Sequence, residues 1–324
     1  MANHSTNTPR RAILRSGGTL AFAALSGVAT ASISHAQEAI AHSAGTSLPA
    51  LRLPPNACDC HMHHYNTRYK LTANVLRPSP DATIAEYRKL QKRIGSTRTI
   101  VCTPSAYGDD NSATLDAMAE LGTSAHGVAV VLPSVTDAEL QRLHNLGIRG
   151  IRFNLATPGT TTLDMLAPLS QRVAGLGWHT EMHMTGEQIV AAEAIWPTLA
   201  APVVFDHMGR IPKAAGTSHP AFQILLASLA RGRTWVMLTG AYMDTTSGPP
   251  GYADSVALGR AFAAAAPERM IWGSDWPHPT EPADRKPDDA TLVDLMPLMV
   301  PDEAIRHRIF VENPARLYDF PQAT

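Results

Sequence analysis

Histidine and aspartate side chains stand at the ends of several short apolar runs, each about as long as a β-strand. They are His61 and His63 at the first run, His183 at the fifth, His207 at the sixth and Asp275 at the eighth. Histidines and a carboxylate can hold a divalent ion, which lowers the pKa of a bound water from about 16 toward 7. Without a metal, the aspartate can act as general base on water while the histidines donate hydrogen bonds to a developing oxyanion. The residue types support both chemistries.

The alternation of side chains along a strand predicts which of these groups share a face. Asp59, His61 and His63 have the same parity in the first run, and Glu181 has the parity of His183 in the fifth. A lone histidine at a strand end is more often a hydrogen-bonded structural residue than a ligand. Because several such positions fall at one end of the same predicted sheet, we expect them to form one site.

From residue 54 onward, short apolar segments alternate with segments of helical periodicity, which is typical of βα units and a parallel sheet. The predicted strands cover residues 57–61, 98–102, 128–132, 148–153, 178–183, 202–206, 234–239 and 270–273. No glycine-rich phosphate loop follows the first strand, which disfavours an open doubly wound sheet. The sequence therefore predicts an α/β fold with a (β/α)8 TIM barrel. Its long connections at 243–253 and 276–289 follow the last two strands, where barrels build their sites.

Helix boundaries are predicted from capping residues and terminal glycines. Asp81 is expected to cap a helix that ends before Gly95, and Asp137 to cap another that ends before Gly147. Both segments carry apolar residues three or four positions apart.

Composition limits the class of protein. The chain has 324 residues, 44% of them hydrophobic, which is enough for a large core and excludes a disordered or disulfide-stapled chain. Its formal charge of -1 gives no basic footprint for nucleic acid, so nucleic acid is not an expected partner. Cys58, Cys60 and Cys102 are expected to be buried free thiols.

The N-terminal residues differ from the rest. A basic region containing Arg10 and Arg11 precedes a mild apolar run and small residues up to Ala36, which predicts an export signal over 1–36. The arginine pair resembles a twin-arginine signal, so the expected partner during secretion is that export machinery and the expected location is periplasmic or secreted. Residues 37–53 are expected to be a linker and 54–324 the barrel domain. No stable membrane association is expected, because no other segment is long and apolar enough to span a bilayer.

Several motifs together resemble a known family. They are DCHMH at 59–63, GIRFN at 150–154, GWH at 177–179, DHMGR at 206–210, WGSDWPHP at 272–279 and NPARLY at 313–318. The chain resembles the amidohydrolase superfamily, and within it the branch of 2-pyrone-4,6-dicarboxylate hydrolase and D-galactarolactone isomerase. The resemblance covers roughly residues 54–320 and implies a TIM barrel of the metal-dependent hydrolase type, lactone chemistry and no required metal.

The resemblance also implies roles for residues. Asp275 would activate water, His61, His63 and His207 would surround the lactone carbonyl, and Arg152 would pair with a substrate carboxylate. Arg210 is a second carboxylate candidate, with a salt bridge at the barrel rim as the equally weighted alternative. Further residues lie in loops that could touch substrate, although tyrosines there are as often packing residues; these are Tyr65, Tyr107, Asn111 and Tyr242.

This chain departs from the pyrone-dicarboxylate hydrolase pattern. Where that pattern has a tyrosine in the fifth strand, this chain has His183. The loop after the fourth strand lacks the basic pair of the pattern at residues 157–160, and the loop of the seventh strand lacks its arginine at 239–244. Fewer guanidinium groups argue against a dicarboxylated pyrone, and His183 favours sugar lactones and makes a metal site more plausible.

Three functional hypotheses follow. The first is a hydrolase of a small lactone or cyclic ester that bears a carboxylate or resembles a sugar acid or pyrone, and it needs no cofactor. The second is an amidohydrolase or decarboxylase that uses one divalent ion such as zinc, held by His61, His63, His183 or His207, and Asp275. The third is an exported solute-binding or catalytically silent barrel.

Overall fold

A parallel eight-stranded sheet organises the part of the chain that the computed structural model describes, residues 38–72 and 81–321. The predicted export signal lies outside these residues. The strands follow one another around the sheet in chain order, each paired with its predecessor. They are β1 (Cys58–Met62), β2 (Arg98–Cys102), β3 (Ala125–Ala129), β4 (Ile148–Asn154), β5 (His179–His183), β6 (Val203–Phe205), β7 (Thr234–Leu238) and β8 (Met270–Trp272).

The first and last strands meet at their carboxyl ends. Asp275 N donates to His61 O at 2.8 Å, and His63 N donates to Trp276 O at 2.8 Å. Gly273 permits this approach, since a Cβ there would lie 2.7 Å from His61 Cβ. These contacts bring β8 against β1, and the predicted (β/α)8 barrel is confirmed.

Helices follow most of the strands and cover the outside of the sheet. Their bounds are α1 (Ile84–Ile94), α2 (Ser112–Leu121), α3 (Asp137–Asn145), α4 (Leu166–Ala174), α5 (Gly186–Ala191), α6 (Pro220–Ala230), α7 (Ala253–Ala265), α8 (Asp289–Asp294), α9 (Met296–Met299), α10 (Glu303–His307) and α11 (Asn313–Tyr318). A π-helical segment, Arg308–Glu312, joins the last two. Among the described residues, no helix has both the length and the apolarity that crossing a membrane requires.

The barrel interior has its own apolar cluster, separate from the layer between sheet and helices. Side chains from β1, β2, β3, β6, β7 and β8 meet residues of the C-terminal segment there, including Tyr318. Cys58, Cys60 and Cys102 belong to this interior cluster, and all three are buried and free, as predicted.

The predicted parity of β1 is wrong for Asp59. Cys58 and Cys60 face the interior, whereas Asp59 accepts a 2.9 Å hydrogen bond from the Tyr87 hydroxyl on α1. The β1–β2 register shifts between Asp59 and Met62, and this irregularity lets His61 face inward despite following Cys60.

Two predicted helix caps and both ends of the third strand, predicted at 128–132, differ from the structure, whereas the other strand ends differ by at most one residue. Thr83 and Thr136 cap α1 and α3, instead of Asp81 and Asp137, because each threonine hydroxyl accepts the backbone N–H three residues later. The third strand ends at Ala129, because the Asn111 amide bonds both the N–H and the carbonyl of Val130 and replaces a strand partner.

Residues 38–53, predicted as a linker, lie against the barrel. Arg93 of α1 donates to Ser47 O at 2.8 Å, to Ala44 O at 3.1 Å and to Ser43 Oγ at 3.2 Å. Its Nη2 pairs with Asp288 Oδ1 at 2.5 Å, just before α8. One buried guanidinium therefore joins the N-terminal segment, α1 and the connection after β8.

Replacing Arg93 with methionine should lower the free energy of unfolding by about 3 kcal/mol, because it leaves backbone carbonyls and Asp288 without their partner. Urea denaturation followed by circular dichroism measures this. Lys92→Met, an exposed change on the same helix, is the control and should stay within about 0.5 kcal/mol of the parent. Equal stability of the two variants would show that the contacts of Arg93 with the N-terminal segment and Asp288 add nothing to the stability of the fold.

Candidate active site

Arg152 on β4 forms the floor of the site between two buried carboxylates. Its Nη1 lies 2.5 Å from Glu181 Oε1, and its Nη2 lies 3.0 Å from Asp206 Oδ2. Burial opposes the charge of Arg152, but Asp206 and Glu181 outweigh that effect and raise its pKa. Protein carboxylates thus occupy both ends of its planar fork, and the role of Arg152 as a partner for a substrate carboxylate stays a prediction.

His61 lies directly above this pair and is neutral. Burial is the main cause that lowers the pKa of His61 to about 4, although Glu181 acts in the opposite direction. Its Nδ1 is 3.2 Å from Glu181 Oε1, and its Nε2 is 3.0 Å from Arg152 Nη1. The same Nη1 lies 3.4 Å from Nδ1 of His61, so the guanidinium packs against the ring and approaches both nitrogens.

Asp206, at the end of β6, orients two histidines at once. His183 Nδ1 lies 3.0 Å and His207 Nδ1 lies 2.9 Å from Asp206 Oδ1. Burial raises the pKa of Asp206, but His183, His207 and Arg152 together hold it well below the usual range. Both histidines therefore donate from Nδ1 to one ionised carboxylate.

The two histidines differ in charge. Burial lowers the pKa of His183 more than Asp206 raises it, so His183 is neutral. Burial also disfavours charge on His207, but Asp206 and Asp275 raise its pKa to about 9. At neutral pH, His207 is an imidazolium. Its Nε2 lies 3.3 Å from Asp275 Oδ2, yet makes no well-aligned hydrogen bond within the described residues.

Asp275 stands at the centre of the site, in the turn after β8. Oδ1 lies 3.5 Å from Nε2 of both His61 and His63. Oδ2 accepts a 2.5 Å hydrogen bond from the Tyr242 hydroxyl. Burial raises the pKa of Asp275, but the charge of His207 outweighs it and holds the pKa well below its usual range. A φ of 62°, uncommon for a residue with a side chain, brings this carboxylate over the barrel.

His63 faces Asp275 from the end of β1. Its Nδ1 is 2.8 Å from the carbonyl oxygen of Cys102, which only accepts, so Nδ1 donates. That bond fixes the ring and leaves Nε2 directed toward Asp275 Oδ1. The structure thus brings together the five residues predicted as catalytic, which are His61, His63, His183, His207 and Asp275.

The predicted substrate contacts divide into two groups. Tyr65 packs its ring 6.3 Å from that of His63, and burial together with Asp275 raises its pKa, so Tyr65 lines the site. Tyr242 directs its hydroxyl at Asp275. Tyr107 and Asn111 have structural partners: the Tyr107 hydroxyl bonds the backbone of Asn66, and the Asn111 amide bonds Thr103, Asp109 and Val130.

Arg210 forms a two-point salt bridge with Asp244 of the connection after β7. Its Nε lies 2.6 Å from Oδ2 and its Nη2 lies 2.8 Å from Oδ1. This geometry matches the rim salt bridge that the sequence left as the alternative, and the predicted role of Arg210 as a free carboxylate-binding group is corrected. Asp244 already takes both donors of that fork.

Sequence reasoning missed two residues of the site. Asp206 is named only as the end of a strand and as part of the 206–210 motif, although its place directly before His207 is a signal that it could orient a histidine. His278 belongs to the 272–279 motif but receives no role there, and its ring lies 3.2 Å from the Tyr242 hydroxyl. The signal for His278 was its position three residues after Asp275 in a proline-rich turn.

Some of these residues have the types and spacing of metal ligands. Donor atoms of His61, His63 and Asp275 lie within 4.8 Å of one another. Two further groups share His61, one with Cys102 and Glu181 and the other with Asp206 and His207. The guanidinium of Arg152 lies beside the His61 ring, 3.0 Å from Nε2 and 3.4 Å from Nδ1. A divalent ion bound at His61 would therefore lie close to a second positive charge, which disfavours it.

His183, predicted as a possible metal ligand, lies apart from the groups of closely spaced donors. Among the described residues, it joins none of the groups of closely spaced donors. Its Nδ1 is committed to Asp206, and its ring packs against His207 at 4.9 Å. His183 supports His207 instead of facing Asp275.

Comparison with known proteins agrees with this architecture. The Amidohydrolase family model matches residues 58–320. The chain is 33% identical over 287 residues to 2-pyrone-4,6-dicarboxylate hydrolase of Comamonas testosteroni, covering 85% of this chain and 94% of that one. It is 34% identical over 275 residues to 4-sulfomuconolactone hydrolase of Rhizobium radiobacter, covering 82% and 91%. D-galactarolactone isomerase of Agrobacterium fabrum is 32% identical over 273 residues, covering 83% and 93%.

A solved apo structure from Agrobacterium tumefaciens superposes with a TM-score of 0.81 at 31% identity, covering 87% of this chain and 99% of that one. The chain belongs to the amidohydrolase family. Within it, the chain falls in the branch that includes 2-pyrone-4,6-dicarboxylate hydrolase and D-galactarolactone isomerase.

The charge on His207 should make stability depend on pH. The folded protein keeps a proton on His207 up to about pH 9, whereas an ordinary histidine loses it near 6.5. This contribution is complete below about pH 6.5 and is lost as the pH rises to about 9, by about 1–3 kcal/mol. Urea denaturation across this range should show the decline in the parent but not in His207→Gln.

His307→Gln, which alters a half-exposed histidine away from the site, is the matched control and should keep the decline. An identical pH profile in the parent and His207→Gln would contradict the assigned imidazolium.

Proposed function

We propose that this protein hydrolyses a small lactone or related cyclic ester, with Asp275 as general base toward water. The observation that carries the proposal is the pairing of an ionised carboxylate with an imidazolium in one buried site. Asp275 Oδ1 is held toward Nε2 of His61 and His63, and His207 offers an N–H without a well-aligned acceptor. Base and hydrogen-bond donor are the two groups that acyl transfer to water needs.

The reaction follows from these positions. Asp275 Oδ1 removes a proton from water, and the resulting hydroxide attacks the lactone carbonyl carbon. His207 Nε2–H donates to the carbonyl oxygen as it becomes negative. The acyl C–O bond of the ring then breaks, and Asp275 returns its proton to the leaving ring oxygen. One water is added and the product is the open-chain hydroxy acid.

The remaining groups fix the protonation pattern of this pair. Asp206 holds Nδ1 of His207 and so points the opposite N–H into the site. Arg152 neutralises Asp206 and Glu181, so neither carboxylate competes with Asp275 for water. An ester is easier to open than an amide, which makes direct attack by water without a metal credible for a lactone.

The substrate class we propose has few negative charges. Both arginines predicted to bind a carboxylate, Arg152 and Arg210, are already paired with protein carboxylates. A sugar-acid lactone, which is rich in hydroxyl groups, suits such a site better than a dicarboxylated pyrone. The relatives named as hydrolases of pyrone-dicarboxylate and sulfomuconolactone and as a galactarolactone isomerase support lactones in general.

The alternative function is a metal-dependent amidohydrolase reaction, favoured by the closely spaced donors of His61, His63 and Asp275. When bound, a divalent ion would lower the pKa of water and polarise the substrate carbonyl. The charge of Arg152 beside His61 would oppose such an ion.

Asp275→Asn should lower kcat for lactone opening by about 1,000-fold with KM little changed, because an amide cannot take a proton from water. Acid release from a panel of sugar-acid and aromatic-degradation lactones provides the assay. Asp284→Asn, an exposed change in the same connection, is the control and should keep parental turnover. Undiminished hydrolysis by Asp275→Asn refutes the general-base role, and a parent that opens no lactone refutes the proposed function.

Exhaustive chelation should leave lactone turnover unchanged, because the proposed reaction needs only protein groups. Elemental analysis of the chelated protein confirms that zinc and other divalent metals are gone. Added zinc or manganese should not raise the rate. Loss of activity on chelation, with recovery on adding a metal, would instead establish the metal-dependent alternative.

A further inference from the structure

A chain of buried side chains leads away from Asp275 toward the outer part of the barrel. The Tyr242 hydroxyl donates to Asp275 Oδ2 at 2.5 Å, and His278 Nδ1 lies 3.2 Å from the same hydroxyl. His278 Nε2 in turn lies 3.2 Å from Asp289 Oδ2. His278 and Asp289 are almost fully buried, so this path is closed to bulk water.

The direction of each hydrogen bond follows from the protons available. Tyr242 has one hydroxyl proton and gives it to the carboxylate of Asp275, which can only accept. His278 Nδ1 must therefore donate to the Tyr242 oxygen. The other ring nitrogen of His278, Nε2, is held 3.2 Å from Asp289 Oδ2.

The far end of the chain is held by the surrounding structure. Asp289 begins α8, and its backbone N–H lies 3.4 Å from Ser43 Oγ of the N-terminal segment. His278 is also fixed through its backbone, where its N–H donates to Asp275 O at 2.6 Å and its carbonyl accepts from Lys286 at 2.7 Å. A chain anchored at both ends can transmit a fixed position to Tyr242.

The two oxygens of Asp275 are consequently not equivalent. Oδ2 is taken by Tyr242 and lies near His207, whereas Oδ1 faces Nε2 of His61 and His63 without a short hydrogen bond. Rotation of the carboxylate would exchange these surroundings, and the strong bond from Tyr242 opposes that rotation.

We infer that Tyr242 and His278, backed by Asp289, are positioning residues that anchor Oδ2 of Asp275 and so assign Oδ1 as the atom that accepts the proton of water. The inference rests on the proposed function for the identity of that proton. Its structural part, the fixed orientation of Asp275, stands on the hydrogen bonds alone.

Tyr242→Phe keeps the ring and removes only the hydroxyl. It should lower kcat on a lactone that the parent opens by about 10- to 100-fold while KM changes less than about threefold, because misorientation costs rate more than binding. Tyr252→Phe, the same change in the same connection, leaves Asp275 untouched and should retain the parental kcat. A Tyr242→Phe enzyme with parental kcat overturns the inference.

His278→Gln tests whether the residues act as one unit. If they do, the double variant with Tyr242→Phe should be no slower than Tyr242→Phe alone, since the hydroxyl that His278 holds is already gone. Effects that simply multiply would show that His278 acts on something other than Tyr242, and would remove it from the chain.

Crystal structures of the parent and Tyr242→Phe give a readout that needs no substrate. We expect the Asp275 carboxylate to rotate or to split between two orientations in the variant, and to stay single in Tyr252→Phe. An unmoved carboxylate overturns the inference even if kcat falls. If the parent opens no lactone but the carboxylate still rotates in Tyr242→Phe, the proposed function fails while the anchoring role survives.

Discussion

The site depends on one buried guanidinium. Arg152 can remain charged beneath the site because Glu181 and Asp206 flank it, and its charge in turn helps the neighbouring histidines to keep both carboxylates ionised. The positions of the histidine protons follow from these carboxylates. Glu181 lies beside Nδ1 of His61, and Asp206 draws protons onto Nδ1 of His183 and His207. Arg152, Glu181 and Asp206 therefore fix the orientation of the catalytic histidines without any contribution from substrate.

Much of the fold was predictable because it follows from periodicity. Parallel strands buried on both faces give apolar runs, and helices between them give three-to-four spacing, so the barrel and the meeting of His63, His207 and Asp275 at one end required no long-range information. The predictions of strand parity and strand ends are wrong where a side chain or a neighbouring strand makes a specific contact that periodicity does not show. The register shift after Asp59 turned His61 inward, and the Asn111 amide ended β3 early.

Partners within the site could not be predicted in the same way. Sequence shows that Arg152 and Arg210 are arginines at strand ends, but whether each guanidinium is free depends on distances to Glu181, Asp206 and Asp244, which are far away along the chain. Both are neutralised by the protein itself. Tyr242 was recognised as a loop residue near the site, whereas its bond to Asp275 depends on how two separate connections pack. The partners of Arg152, Arg210 and Tyr242 therefore depend on contacts between separate strands and loops, which the motifs do not show.

Burial of the three cysteines inside the barrel determines how they react with oxidants. Burial raises the pKa of the Cys60 and Cys102 thiols well above the usual range, and the folded barrel exposes almost none of the three side chains. They are therefore inert to oxidants once the barrel has closed, but reactive before then. The closed barrel therefore keeps these thiols reduced in oxidising surroundings, and only opening of the barrel would expose them.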